Sequence, residues 1–363
     1  MYSVKKTAQR LNGILSYLLL GALLAYSIPF LLNALKAQPE PVRDLASRQA
    51  PHEFERHHAH QPAGRDTAAQ AWVRSDNALS ARSTDAVVPG QGDWLFTQQE
   101  YLIPGDLADN LQEQITRILA LRDTLRAHNK DLVLMPVPMK SDIYQTKTST
   151  APAPQAVALY DLFVELLDQR EVAVVPLRHT FLEQRDRQPL FLRQDTHWTP
   201  EGARLAAQKV AFDRPDLRGN TAYSTQRVGT TSYRGDLLGS LQHTGNESVS
   251  ETLSLYETLP AAEMTSAADL FEEPAFSIAL VGSSYSRNEL FNFSGFLKEA
   301  LNSDLLTLAA SDAHPLNAMQ SFVDGPLLDD PSITTVIWEY PLRTLLTPRR
   351  SAHAPAAPQT FRF

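Results

Sequence analysis

The chain has 363 residues, 43% of them hydrophobic, a formal net charge of -8 and no cysteine. That length and apolar content can bury a full core and exclude disorder throughout. The acidic balance excludes a phosphate-gripping nucleic-acid surface, which needs clustered Lys and Arg, and the absence of cysteine excludes disulfides, thiolate zinc sites and a cysteine nucleophile.

Lys5, Lys6 and Arg10 precede an uncharged run over residues 11–35 that is rich in leucine. A run of that length can cross a bilayer core of about 30 Å. Residues 1–36 therefore read as a basic cytoplasmic end and a transmembrane signal-anchor, with everything after Lys36 on the far side of the membrane. The alternative is a cleaved signal peptide, whose apolar region is normally shorter. Residues 37–85 are polar, carry prolines at 39, 41, 51 and 62, and read as a linker or stalk. His52, His57, His58 and His60 lie in it without carboxylate partners at a defined spacing, so they read as solvated residues and no metal site is expected.

A folded domain is predicted over 86–350, opening on Gly92-Asp93-Trp94-Leu95-Phe96. Leu107, Leu111, Ile115, Ile118, Leu119 and Leu125 recur at helical spacing, and the apolar run 132–137 reads as a buried strand. The unit repeats with a helix over 157–167, a β-branched strand over 172–177, and a helix opened by Thr199-Pro200-Glu201. A polar stretch over 213–274 reads as an insertion. Strands are then expected at 276–281, 305–310 and 334–340, with a helix from about 286 and another near 317–323. Such alternation predicts an α/β fold, a three-layer sandwich with a mainly parallel central sheet covered on both faces. Residues 351–363 read as a flexible tail.

Gly282-Ser283-Ser284-Tyr285-Ser286 falls where an apolar strand ends and a helix begins, so Ser284 is predicted at the carboxyl edge of the sheet, where α/β proteins bind ligands. Gly-Ser runs are also ordinary turn material, so the motif requires a base. Asp195-Thr196-His197-Trp198 offers one: Asp195 and His197 are two apart and project to one side of an extended segment. A serine hydroxyl is a weak nucleophile until an imidazole takes its proton, and a carboxylate fixes the tautomer and stabilises the imidazolium. Ser284, His197 and Asp195 are the predicted triad; the bland alternative for His197 is a satisfied loop residue beside a helix start.

These segments resemble the periplasmic alginate O-acetyltransferases of the AlgJ and AlgX group, whose domain is related to SGNH hydrolases. The resemblance rests on Asp195-Thr196-His197-Trp198 continuing as Thr199-Pro200-Glu201-Gly202, and on Gly282-Ser283-Ser284-Tyr285-Ser286. Weaker similarities are Gly92-Asp93-Trp94-Leu95-Phe96, Pro136-Val137-Pro138-Met139-Lys140 and Val336-Ile337-Trp338-Glu339-Tyr340-Pro341. The order Asp, His, Ser also resembles this group and implies a permuted SGNH-like sheet. The resemblance implies a cofactor-free transfer in which the serine takes an acetyl group from a multispanning membrane acyltransferase and passes it to a hydroxyl of an exported polysaccharide. It also implies a bacterial inner-membrane protein with a periplasmic catalytic domain. Tyr285, Arg287, Lys140 and Arg193 are candidate contacts to polymer hydroxyls or carboxylates, and Trp198 a candidate sugar-stacking face. Each has a structural alternative, core packing for Trp198 and surface charge for the arginines. Asn288 and Asn292 are candidate oxyanion donors. The same triad would serve a carbohydrate acetyl esterase, and a non-catalytic polysaccharide-binding subunit is a third reading.

Overall fold

The computed structural model describes residues 87–241, 250–261, 276–309 and 315–347. The expected membrane helix, the linker with its histidines and the C-terminal tail lie outside these; among the described residues no helix is long and apolar enough to cross a membrane.

The domain opens on a small antiparallel pair, β1 (Val87–Pro89) and β2 (Leu95–Thr97). Helix α1 (Leu107–Ala127) follows and buries Leu111, Ile115, Ile118, Leu121 and Leu125 along one stripe. Each such side chain removed from water contributes about 1.5–3 kcal/mol, which decides the face this helix turns inward. It feeds β3 (Asp131–Val137), buried at every position after the first, as a strand covered on both faces must be. The one-turn α2 (Lys140–Ile143) leads to α3 (Pro154–Asp168) and β4 (Ala173–Val174), shorter than the β-branched run 172–177 suggested. Helix α4 (Arg178–Gln184) precedes α5 (Pro200–Asp213). The start of α5 is set as expected: Pro200 occupies the first turn, and Thr199 caps it by accepting from the Gly202 amide at 3.0 Å.

Residues 213–274, expected only as a polar insertion, contain a long antiparallel hairpin, β5 (Tyr223–Tyr233) with β6 (Glu251–Pro260). The apolar pattern then resumes with β7 (Ile278–Gly282), buried throughout. The one-turn α6 (Ser284–Arg287) starts two residues earlier than the spacing indicated, and α7 (Phe293–Leu301), β8 (Leu305–Ala309), α8 (Pro315–Val323) and β9 (Thr335–Pro341) complete the domain.

The central sheet has five strands in the order β4-β3-β9-β7-β8, and every neighbouring pair is parallel. On one face Val133, Met135, Ile337 and Leu280 pack with Ala206, Val210, Phe296 and Leu297 of α5 and α7. On the other, Tyr340 meets Phe163 of α3 with ring centroids 5.4 Å apart and Gln114 of α1 at 3.2 Å. Parallel pairing brings the carboxyl ends of β3, β7 and β9 to one edge, and that edge carries the site.

Candidate active site

Burying β7 to its last residue delivers the chain at Gly282 into a turn against β9. A side chain at Gly282 could not be tolerated, because its Cβ would lie 2.4 Å from Ser286 Oγ and 2.7 Å from Glu339 Oε2. Glu339, near the end of β9 and fully buried, anchors the turn: it accepts from the Ser283 amide at 2.8 Å and from the Ser283 and Ser286 hydroxyls at 3.0 Å. Burial raises its pKa against the pull of those donors. Ser283 caps α6, and Ser284 is its first residue, partly exposed while Ser283, Tyr285 and Ser286 are buried. Among the serines of the motif, Ser284 alone keeps its hydroxyl accessible.

Ser284 Oγ lies 2.7 Å from His197 Nε2, and His197 Nδ1 lies 2.7 Å from Asp195 Oδ1. An ionised carboxylate only accepts, so the proton of the neutral imidazole belongs on Nδ1, leaving Nε2 to accept from the serine. The two-residue spacing works as expected: the Asp195 carboxylate faces the imidazole and also accepts from the His197 amide at 2.8 Å. The imidazole packs against Tyr285 and Phe291, with ring centroids 4.7 Å and 5.5 Å away. Asp195 is wholly buried; burial pushes its pKa up, but the imidazole and the hydrogen bonds it accepts hold it below the usual carboxylate range. Burial pulls His197 down, yet the charge and hydrogen bond of Asp195 raise it above an ordinary imidazole.

Several supports come from segments without a local signal. Tyr233 at the end of β5 donates to Asp195 Oδ2 at 2.9 Å, and the Asp236 amide donates to the same oxygen at 2.8 Å. Glu251, opening β6, accepts from the amides of Arg193 at 2.9 Å and Gln194 at 2.8 Å. Half-buried Arg343, just beyond β9, reaches the Thr196 carbonyl and Tyr285 hydroxyl at 3.4 Å each. Asp195, His197 and Asp236 have the ligand types for a cation and donor atoms within 4.8 Å of one another. Each of those carboxylate oxygens already accepts a hydrogen bond, from His197, Tyr233 or Thr196.

Three expected polymer contacts are corrected. Trp198 is completely buried, packed on Tyr285 and Phe293, and offers no face to a sugar. Lys140 is buried, and its ammonium donates to the carbonyls of Leu95 at 2.6 Å, Arg193 at 2.8 Å and Asp195 at 2.9 Å, which staples β2 to the Asp195 loop; burial lowers its pKa to about 8. Tyr285 is buried with its hydroxyl donating to the Thr196 carbonyl at 2.6 Å, tying α6 to the imidazole's own loop. Arg193 is partly exposed but paired with Asp93 at 2.6 Å and Glu251 at 3.3 Å. Arg287 is partly exposed in the last turn of α6. Asn292 donates to Thr258 Oγ1 at 3.0 Å, and the Asn288 side-chain oxygen Oδ1 caps the next turn by accepting from the Leu290 amide.

A parallel α/β sheet that presents a strand-to-helix serine to an aspartate-oriented imidazole at its carboxyl edge defines a domain of the SGNH hydrolase-like class. A family model described as "SGNH hydrolase-like domain, acetyltransferase AlgX" matches residues 87–342, and the chain belongs to that family. It is 32% identical over 284 residues to a probable alginate O-acetylase AlgJ of Pseudomonas putida, covering 76% of this chain and 74% of that protein. The O-acetyltransferase domain of Pseudomonas putida AlgJ superposes with a TM-score of 0.66 at 31% identity, covering 74% of this chain and 96% of that one. Pseudomonas aeruginosa AlgX superposes with a TM-score of 0.56 at 22% identity, covering 71% and 62%, a likeness of fold.

Proposed function

We propose that this protein is an O-acetyltransferase that carries an acetyl group on Ser284 and delivers it to a hydroxyl of an exported bacterial polysaccharide of the alginate class. The observation that carries this reading is the unbroken hydrogen-bonded line from Ser284 Oγ through His197 to Asp195, 2.7 Å at each step. Its support beyond geometry is membership of an acetyltransferase family and the relatives named as alginate O-acetylases.

In this reading His197 Nε2 takes the Ser284 proton as the oxygen attacks the donor's acyl carbon, and Asp195 stabilises the imidazolium. The Ser284 amide, in the first turn of α6 where no intrahelical acceptor exists, faces the developing oxyanion. The imidazolium returns its proton to the leaving group. His197 then deprotonates the sugar hydroxyl as its oxygen attacks the acyl carbon; the bond from that carbon to Ser284 Oγ breaks, the imidazolium returns the proton to Ser284, and the acetyl ester is left on the polymer. Asp195 and His197 precede Ser284 in the chain, so the domain is a permuted member of the SGNH class. Its amino-terminal segment anchors it in the inner membrane, the catalytic domain lies in the periplasm, and a multispanning acyltransferase supplies the acetyl group.

Ser284→Ala should reduce acetyl transfer from a chromogenic ester to an oligouronate by about 10⁴-fold or more while thermal unfolding is unchanged. Retained transfer would remove the serine mechanism. Acetate released by the wild type at one rate with and without acceptor would make the protein an esterase instead.

A further inference from the structure

The triad has a second carboxylate beside it. We propose that Asp236 is a positioning residue for His197: it pins Thr196, the residue between the two triad members of this loop, and adds its negative charge to the field that stabilises the imidazolium. This rests on His197 being the base of the proposed function.

The geometry is built for that role. Asp236 Oδ1 accepts from the Thr196 amide at 2.8 Å and Oδ2 from the Thr196 hydroxyl at 2.5 Å, so both oxygens hold one residue. Oδ2 also lies 3.6 Å from His197 Nδ1, an ion-pair distance once the ring is charged. The Asp236 amide in turn donates to Asp195 Oδ2, so one residue orients the triad carboxylate and faces the ring it serves. The approach depends on Gly235, where any Cβ would lie 1.9 Å from the Gln194 carbonyl oxygen. The chain is thus pressed against the Asp195 loop at the one place where a side chain would keep it away.

Two carboxylates around one ring nitrogen repel each other, and a cluster held only for structure would be served by an amide or hydroxyl at this position. The arrangement becomes favourable when a positive charge appears between them, which happens as His197 accepts the serine proton. The charged and titratable groups facing Asp236 are Asp195 and His197 on its own side, Arg343 beyond β9, Lys140 of α2 and Tyr285 of α6. Burial, then the neighbouring Asp195, raises the Asp236 pKa to about 6, and His197 and Arg343 act in the opposite sense. Ionised Asp236 raises the pKa of His197. The sign follows: removing the charge must lower the pKa of the base and leave the imidazolium less stable in the transition state.

In full-length protein, Asp236→Asn should lower kcat for a chromogenic acetyl ester about tenfold at neutral pH with KM little changed. It should also move the acid limb of kcat/KM about one unit to lower pH, and Asp236→Glu should restore that limb. The His197 ring resonance, identified by its loss in His197→Gln, should titrate at correspondingly lower pH in Asp236→Asn. An unchanged limb and an unchanged titration would overturn the proposal, leaving Asp236 as loop scaffolding. Should the Asn variant fail to fold, the wild-type His197 resonance decides: a second inflection as Asp236 titrates supports the coupling, and a single inflection overturns it. The resonance reads the imidazole without turnover, so it stands apart from the Ser284→Ala result, which tests the proposed function itself.

Discussion

Two regions meet at the imidazole, and they were written into the sequence very differently. The turn after β7 follows five buried residues and a Gly-Ser-Ser run, and its architecture is local: Gly282, the Ser283 cap and the Ser284 hydroxyl lie within three positions. The hairpin of β5 and β6 is mostly exposed along β5, without a sustained apolar alternation, yet its inner end contributes Tyr233, Asp236 and Glu251 to the loop that carries Asp195 and His197. The contrast teaches that the position of Ser284 is encoded by the strand beneath it, whereas the environment of His197 is assembled from distant backbone and can arise from a segment with no strong pattern.

That comparison can be sharpened from the strongest effect downward. Asp195→Asn should cost about 10³-fold in kcat, because an amide cannot hold Nδ1–H and stabilise the imidazolium as a carboxylate does. In the wild type the rate should fall as pH drops through the raised pKa of His197, since protonation removes the base; an acid limb below that of an ordinary imidazole would contradict the pairing with Asp195. Gly282→Ala should lower stability by about 2–3 kcal/mol in denaturant unfolding, because the new methyl overlaps Ser286 Oγ and Glu339 Oε2 in a packed turn. An unchanged midpoint would mean that the turn yields freely.

On the hairpin side the effects should be smaller and split by position. Tyr233→Phe removes one donor to a buried carboxylate oxygen that keeps the Asp236 amide, and should cost about 1 kcal/mol of stability together with a few-fold drop in rate. Leu259→Ser, on the outward face where the side chain is 55% exposed, should change stability by less than about 0.5 kcal/mol and leave the rate alone. A large loss from Leu259→Ser with none from Tyr233→Phe would invert the roles assigned to the two ends of the hairpin.

The middle of the parallel sheet was legible because β3 and β7 are buried and read as apolar runs, within the expected 132–137 and 276–281. The hydrogen-bonded line of Ser284, His197 and Asp195 was legible because Asp195 and His197 are two apart and Ser284 follows a strand. Burial at the sheet edge was not. Lys140 follows a strand end as a ligand-binding cation would, but the carbonyls that hold it belong to Leu95, Arg193 and Asp195, and no local spacing announces them. Trp198 follows His197 and could as well have faced a sugar, and only the packing of Tyr285 and Phe293 around it decides otherwise. Glu339 stood in a recognised segment, yet its role depends on the register that sets β9 beside β7.

The most direct test is to trap the acyl-enzyme. Full-length protein mixed with a chromogenic acetyl ester, quenched in acid and digested for mass spectrometry, should carry one acetyl group on the peptide containing Ser284, and polysaccharide acceptor should discharge it. Turnover with the acetyl group on another residue, or with the Ser284 peptide never modified, would contradict the assignment of Ser284 as the acetyl carrier.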